Sequence, residues 1–155
     1  MPMHRIYSTT GLYSAEEKQA LAKAITSAYT VNPTGGPGIP PFYVVVLFID
    51  LPEDSFFIGG EKHKSFVRFN VQHLARHFKD KEEKLGFMRI YEDKLKPFTF
   101  DKGLDWEVNI DLADPLTWHE NGMSPPAPNT DGESLWFHQN RAIPFEGPSF
   151  SDLVQ

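Results

Sequence analysis

Met1 followed by Pro2 is a pair from which an initiator methionine is normally removed, because the second side chain is small. Removal leaves Pro2 with a free secondary amine, a nucleophile and base whose protonation can be tuned through physiological pH by burial and nearby cations. Such a nitrogen shuttles a proton or activates a carbonyl. Its partner in chemistry would be a cation. In a chain of net charge −6, an arginine placed in a pocket is a candidate for holding a small anionic substrate, because the planar guanidinium matches a carboxylate through two oxygens. The segment from Arg68 to Arg76 begins and ends on an arginine. His73 and His77 in the same segment have metal-ligand spacing on what reads as helix, but no acidic partner pattern accompanies them, so they read as a solvated pair and no metal is expected.

Something must position these groups. Pro2 to Ser8 reads as a first strand, closed by the Thr9-Thr10-Gly11 turn. Ser14-Ala15-Glu16-Glu17 is a capping box, and Leu21, Ala24, Ile25 and Ala28 follow at helical spacing, so a helix is expected to about Tyr29. Residues 32–41, rich in proline and glycine, read as a loop. Tyr43 to Ile49 is a continuous β-branched and aromatic run, the pattern of a strand covered on both faces. The order then recurs. Ser65 to Val71 reads as a strand, Asp80 to Glu83 as a second helix start, and Leu85, Met88, Tyr91 and Leu95 as that helix's apolar face before Pro97. Leu104 to Leu112 makes a fourth strand.

The expected architecture is α/β (α+β): one domain over residues 1–155, with βαβ units at 2–50 and 65–112 sharing a four-stranded sheet, and an arm at 113–155. Both helices are expected on one sheet face, which leaves the other face for a neighbouring subunit. The arm keeps Leu135, Trp136, Phe137, Ile143 and Phe145, too apolar for a free tail, and is expected to pack across its own core or a neighbour. The acidic balance argues against nucleic-acid binding, and no apolar run is long enough to span a membrane. With no cysteine, thiolate nucleophiles and disulfides are excluded, and a cytoplasmic location is expected.

A strand-initial proline ahead of two βαβ units resembles the 4-oxalocrotonate tautomerase superfamily, and within it the cis-3-chloroacrylic acid dehalogenase branch. The resemblance is carried by the Ala22 to Tyr29 helix segment, Phe57-Ile58-Gly59-Gly60, Phe66-Val67, Glu120-Asn121-Gly122 against the family's Glu-Tyr-Gly, and Gly132-Glu133 with Trp136. It implies a cofactor-independent enzyme, a homotrimer, with Pro2 as catalytic base or acid and Glu120 as the carboxylate that activates water. Tyr29 stands where the family has a substrate-contacting histidine. Arg76 matches the second of two carboxylate-binding arginines, and the first is replaced by Gln72 or shifted; Arg68 lies earlier and is a further candidate for substrate contact or a surface residue of the strand. Asn109 stands near the family's tyrosine on the last strand and can donate or accept a hydrogen bond without ionising. These departures count against efficient dehalogenation and leave simple proton transfer intact. The expected activity is therefore proton transfer or hydration on a small unsaturated or 2-keto carboxylate. The alternatives are a dehalogenase, hydratase or decarboxylase of three-carbon acids, and a non-catalytic oligomeric relative.

Overall fold

The computed structural model describes residues 2–31 and 38–153. Strand β1 (Met3–Thr9) leads through a turn to helix α1 (Ala15–Thr30), then to strand β2 (Val45–Leu51). A two-stranded hairpin, β3 (Phe57–Ile58) and β4 (Glu61–Lys62), precedes strand β5 (Phe66–His73). Helix α2 (Lys81–Leu95), strand β6 (Asp105–Leu112) and helix α3 (Asp131–Gln139) complete the chain's longer elements.

The main sheet has the order β2-β1-β5-β6. Strands β1 and β2 are parallel, as are β5 and β6, and the two units meet through antiparallel β1 and β5. This is the expected four-stranded mixed sheet of two βαβ units. Alternation along β1 and β5 turns His4, Ile6 and Ser8, with Val67, Phe69, Val71 and His73, toward the helices, and all are buried. The other face carries Arg5 and Tyr7, Leu47 and Ile49, and a polar ladder across β5 and β6 in which Arg68 pairs with Glu107 and Asn70 donates to Asn109 at 2.7 Å. Among the described residues that face is only partly covered. Strand β2 is accordingly only half-buried, with Leu47 exposed, so its apolar run does not mark a strand enclosed on both sides.

Local chemistry explains the element limits. At α1, the Ser14 hydroxyl accepts from the Glu17 N–H at 3.2 Å while the Glu17 carboxylate accepts from the Ser14 N–H at 2.8 Å, the full reciprocal cap. At α2, Asp80 accepts from the Glu83 N–H, but Glu83 turns to the Lys79 N–H, so only half of the expected box forms. The apolar face of α2 runs through Phe87, Tyr91 and Leu95; Leu85, expected in that stripe, is exposed. Pro41–Tyr43 forms a single 3-10 turn, which delays β2 to Val45. Of the proline-rich loop expected at 32–41, residues 32–37 lie outside the described residues.

The arm folds back on its own chain. Trp136 on α3 is fully buried, donates from its indole nitrogen to the Ile143 carbonyl at 2.7 Å, and meets Tyr43 and Phe145 edge-on. A methyl group on Gly132 would come within 2.6 Å of the Phe145 ring, so only glycine lets α3 sit this close.

Candidate active site

Four segment ends converge beneath α1 and α2. The C-terminal turn of α1 brings Ala28 and Tyr29, the chain entering β2 brings Gly38 and Ile39, the end of β5 brings His73 followed by Arg76 and Phe78, and α2 brings Phe87. With Val31 and Asn129 they line a cleft of about 220 Å³. The helix end is fixed by backbone contact: Gly38 N–H donates to the Thr30 carbonyl at 3.2 Å and Ile39 N–H to the Tyr29 carbonyl at 3.1 Å. A Cβ on Gly38 would lie 2.1 Å from the Tyr29 carbonyl oxygen, so a side chain there is sterically excluded.

Pro2 is buried at the same end of the sheet. Its carbonyl accepts from the Val45 N–H at 3.0 Å. The β1–β5 register pairs Met3 with Gln72, so one step further Pro2 falls opposite His73. Pro2 is not itself among the residues lining the cleft.

His73 is the buried last residue of β5, not half of a solvated helical pair; only His77 is exposed. Its ring stacks on Phe78 at 4.6 Å and lies 5.9 Å from Tyr29. Burial pushes its pKa down to about 4, although contact with the Arg76 backbone acts the other way, so it is neutral at pH 7. A second neutral imidazole lies below. His4 is fully buried, shares a hydrogen bond of 2.8 Å between its Nδ1 and the Tyr91 hydroxyl, and meets Tyr29 edge-on at 5.4 Å. Burial first, and His73 second, lower its pKa to about 3. The Tyr29 hydroxyl is buried without a partner, and burial raises its pKa well above the usual value, so it stays protonated.

Arg76 reaches the cleft as half of an ion pair. Its Nη2 lies 2.8 Å from a carboxylate oxygen of Glu133, which is buried in the first turn of α3 and also accepts from the Asn129 N–H at 2.8 Å. The Arg76 side chain remains one-third exposed.

The cleft therefore brings together Tyr29 and Arg76 of the expected residues, with Pro2 opposite His73 but outside the lining, and the others lie elsewhere. Glu120 opens a tight turn through Asn121 and Gly122, both at positive φ, and accepts from the Trp118 indole at 3.0 Å outside the cleft. Arg68 and Asn109 stand on the open sheet face, engaged with Glu107 and Asn70. Sequence reasoning missed His73, Glu133, Phe78 and Phe87. His73 and Arg76, three positions apart, both line the cleft, whereas Gln72 between the strand's buried positions does not.

Comparison with known proteins bears on this arrangement. The profile of the family described as "Tautomerase_3: Putative oxalocrotonate tautomerase enzyme" matches residues 1–141. Native RhCC from Rhodococcus jostii RHA1 is 36% identical, with 92% of this chain and 99% of that one covered at a TM-score of 0.86. A probable enzyme from the thermophilic fungus Aspergillus fumigatus is 38% identical over 94% of this chain and 98% of its own, with a TM-score of 0.85. N1, a member of the cis-3-chloroacrylic acid dehalogenase family, shares the fold at 19% identity and a TM-score of 0.65, covering 88% and 90% of the two chains. Fused 4-OT, described as an asymmetric trimer, shares the fold at 18% identity and a TM-score of 0.61, covering 78% and 94%. No curated protein matches the sequence.

Proposed function

From the premise that this chain belongs to the oxalocrotonate tautomerase-like family matched across residues 1–141, we propose that it isomerises a small 2-keto or unsaturated carboxylate through the nitrogen of Pro2. The observation that carries the reading is the position of Pro2: buried just ahead of β1 and opposite His73, the residue at the end of β5 that lines the cleft. Loss of Met1 converts its nitrogen into a secondary amine beside neutral, low-polarity walls, conditions that favour the uncharged base. In the ketonisation direction that base takes the enol O–H proton and the ring ammonium returns a proton to carbon. One O–H and one C=C are exchanged for one C–H and one C=O, and no atoms are gained or lost. Arg76 holds the carboxylate with its remaining N–H groups, and the Tyr29 hydroxyl donates to the carbonyl oxygen on which charge develops.

Hydration would need a carboxylate aimed at water in the cleft. Glu120 faces Trp118 instead, which favours isomerisation over hydration or dehalogenation. The partly covered sheet face, with Leu47 exposed and the Arg68–Glu107 pair upon it, suits assembly with further copies of the chain, and the trimer seen in fused 4-OT is the proposed form.

The test is an intact-mass measurement for loss of Met1, followed by ketonisation rates of Pro2→Ala against the parent. A loss of at least about 100-fold in kcat/KM is expected for removal of a general base. Full activity in the alanine variant, from a preparation lacking Met1, would refute the reading.

A further inference from the structure

Helices α1, α2 and α3 each carry a glutamate at their third residue, and one of the three is used differently. Glu17 in α1 and Glu83 in α2 are 38% and 42% exposed and serve their helix starts, accepting from the Ser14 and Lys79 N–H groups at 2.8 Å. Glu133 in α3 accepts from the Asn129 N–H at 2.8 Å, yet its side chain is only 7% exposed, and both its oxygens lie on Arg76 Nη2, at 2.8 and 2.9 Å. A helix cap requires neither that burial nor an arginine 57 positions away. Arg76, for its part, lies in the link between β5 and α2, where no helix or strand fixes its side chain, and its other contact is Nη1 donating to the adjacent Ala75 carbonyl at 3.3 Å. It stands in a partition: Arg76, Phe78 and Asn129 line both the cleft of about 220 Å³ and a groove of about 1020 Å³ beside it. The groove has carboxylates of its own, Glu83 and Asp114, whereas Glu133 lines neither cavity.

Resting on the reading above, in which Arg76 holds the substrate carboxylate, we infer that Glu133 is a positioning residue for the reaction: it keeps the Arg76 guanidinium at the cleft and out of the groove, without touching substrate itself. Two effects of the pair oppose each other. Glu133 cancels part of the charge that attracts a carboxylate, and it fixes the direction in which the remaining N–H groups point. The first effect is discounted by water, because the Arg76 side chain is one-third exposed. The second is not screened: a carboxylate is gripped through two parallel N–H bonds only while the fork faces it, and a misplacement of about 1 Å lowers rates on the order of 100-fold. Orientation therefore outweighs charge. Without Glu133 the arginine regains its rotamers, and Glu83 and Asp114 compete for it from the groove. The holder is itself held, since Thr130 accepts from the Glu133 N–H at 3.3 Å and donates to the Ala127 carbonyl at 2.7 Å. The arm thereby takes part in substrate binding through a side chain set back from the substrate.

The experiment measures kcat and KM for ketonisation of two probes, the enol of phenylpyruvate and 2-hydroxymuconate, by ultraviolet absorbance with protein lacking Met1. Arg76→Ala is expected to raise KM by about 100-fold and Glu133→Gln by about 10-fold, the range for losing and for weakening a charged hydrogen bond. In Glu133→Gln, kcat per folded molecule should stay near the parent's, the pattern of lost binding rather than lost chemistry. KM does not depend on how much of the protein is folded, so a destabilised variant still reports. In the Arg76→Ala background Glu133→Gln is expected to change KM no further, because a residue that acts through Arg76 has nothing left to position. A merely structural glutamate would instead add its effect to the arginine's. A KM at or below the parent's in Glu133→Gln, or additive effects in the double variant, overturns the inference alone while Arg76→Ala and Pro2→Ala lose activity as expected. Parent KM in Arg76→Ala overturns the carboxylate role of Arg76 and the inference with it. Ketonisation undiminished in Pro2→Ala overturns the proline reading, and a parent that turns over neither probe overturns all three.

Discussion

Lowering the pH from 7 to 5 is expected to destabilise this protein through two buried imidazoles. His4 and His73 lie on the helix-facing side of β1 and β5, with burial holding their pKa values near 3 and near 4 against an ordinary 6.5. Both folded values are depressed, so between about pH 6.5 and 4 the unfolded chain binds more protons than the folded one. Stability is therefore complete above the unfolded value and falls as the pH drops through that window. Each imidazole contributes a slope of about 1.4 kcal/mol per pH unit. From 6.5 to 5 that is about 2 kcal/mol for each and about 4 kcal/mol for the pair, a large share of an ordinary domain's stability. The exposed carboxylates held low, Glu17 by Lys102 and Asp152 by the Ser149 backbone, lose their contributions only below their ordinary values of 4.5 and 3.8. Urea unfolding followed by tryptophan fluorescence, at one protein concentration and at pH 7, 6 and 5, reads the slope. His4→Gln and His73→Gln are each expected to remove about half of it. Equal midpoints at pH 7 and 5, or a double variant that keeps the parent's slope, would refute the assignment of two buried neutral histidines.

Two further outcomes follow from the cleft's frame. Gly38→Ala places a methyl 2.1 Å from the Tyr29 carbonyl and forces apart the two hydrogen bonds that close α1, a cost of about 2–4 kcal/mol; calorimetry should show a fall in Tm of roughly 6–12 °C. Tyr29→Phe removes a buried hydroxyl that has no partner in the protein, so Tm should stay level or rise slightly while ketonisation falls at least about tenfold; paired melting and rate measurements check the split.

The frame was far more legible in the sequence than the site. Capping at Ser14, the period of Leu21, Ile25 and Tyr29, and alternation along β5 and β6 are local signals, and each element appears where they place it, with limits shifted by one or two residues. The two-residue shift at β2 has a local cause in Pro41, and the misread face of α2 came from counting Leu85 into a stripe that Phe87 begins. Helix α3 and the β3–β4 hairpin were missed, the latter because its two-residue strands are too short for a period of two to show. Site residues depend on pairing between distant segments. Nothing near His73 in the sequence announces that β1 will begin beside it, and nothing near Arg76 names Glu133 as its counter-ion. Arg68 and Asn109 show the same limit from the other side: the strand alternation that orders β5 and β6 turns both to the sheet face opposite the helices.

The Arg76–Glu133 pair also sets a clock on how the molecule is made. Its members stand 57 positions apart, and at about 5–20 residues per second Glu133 is synthesised roughly 3–11 s after Arg76. The sheet can assemble once β6 has emerged, whereas the cleft waits for α3 to emerge and dock. During that interval Arg76 carries an uncompensated charge at the mouth of an apolar cleft. Docking of the arm is then the step that gives Arg76 its buried counter-ion and completes that wall of the cleft.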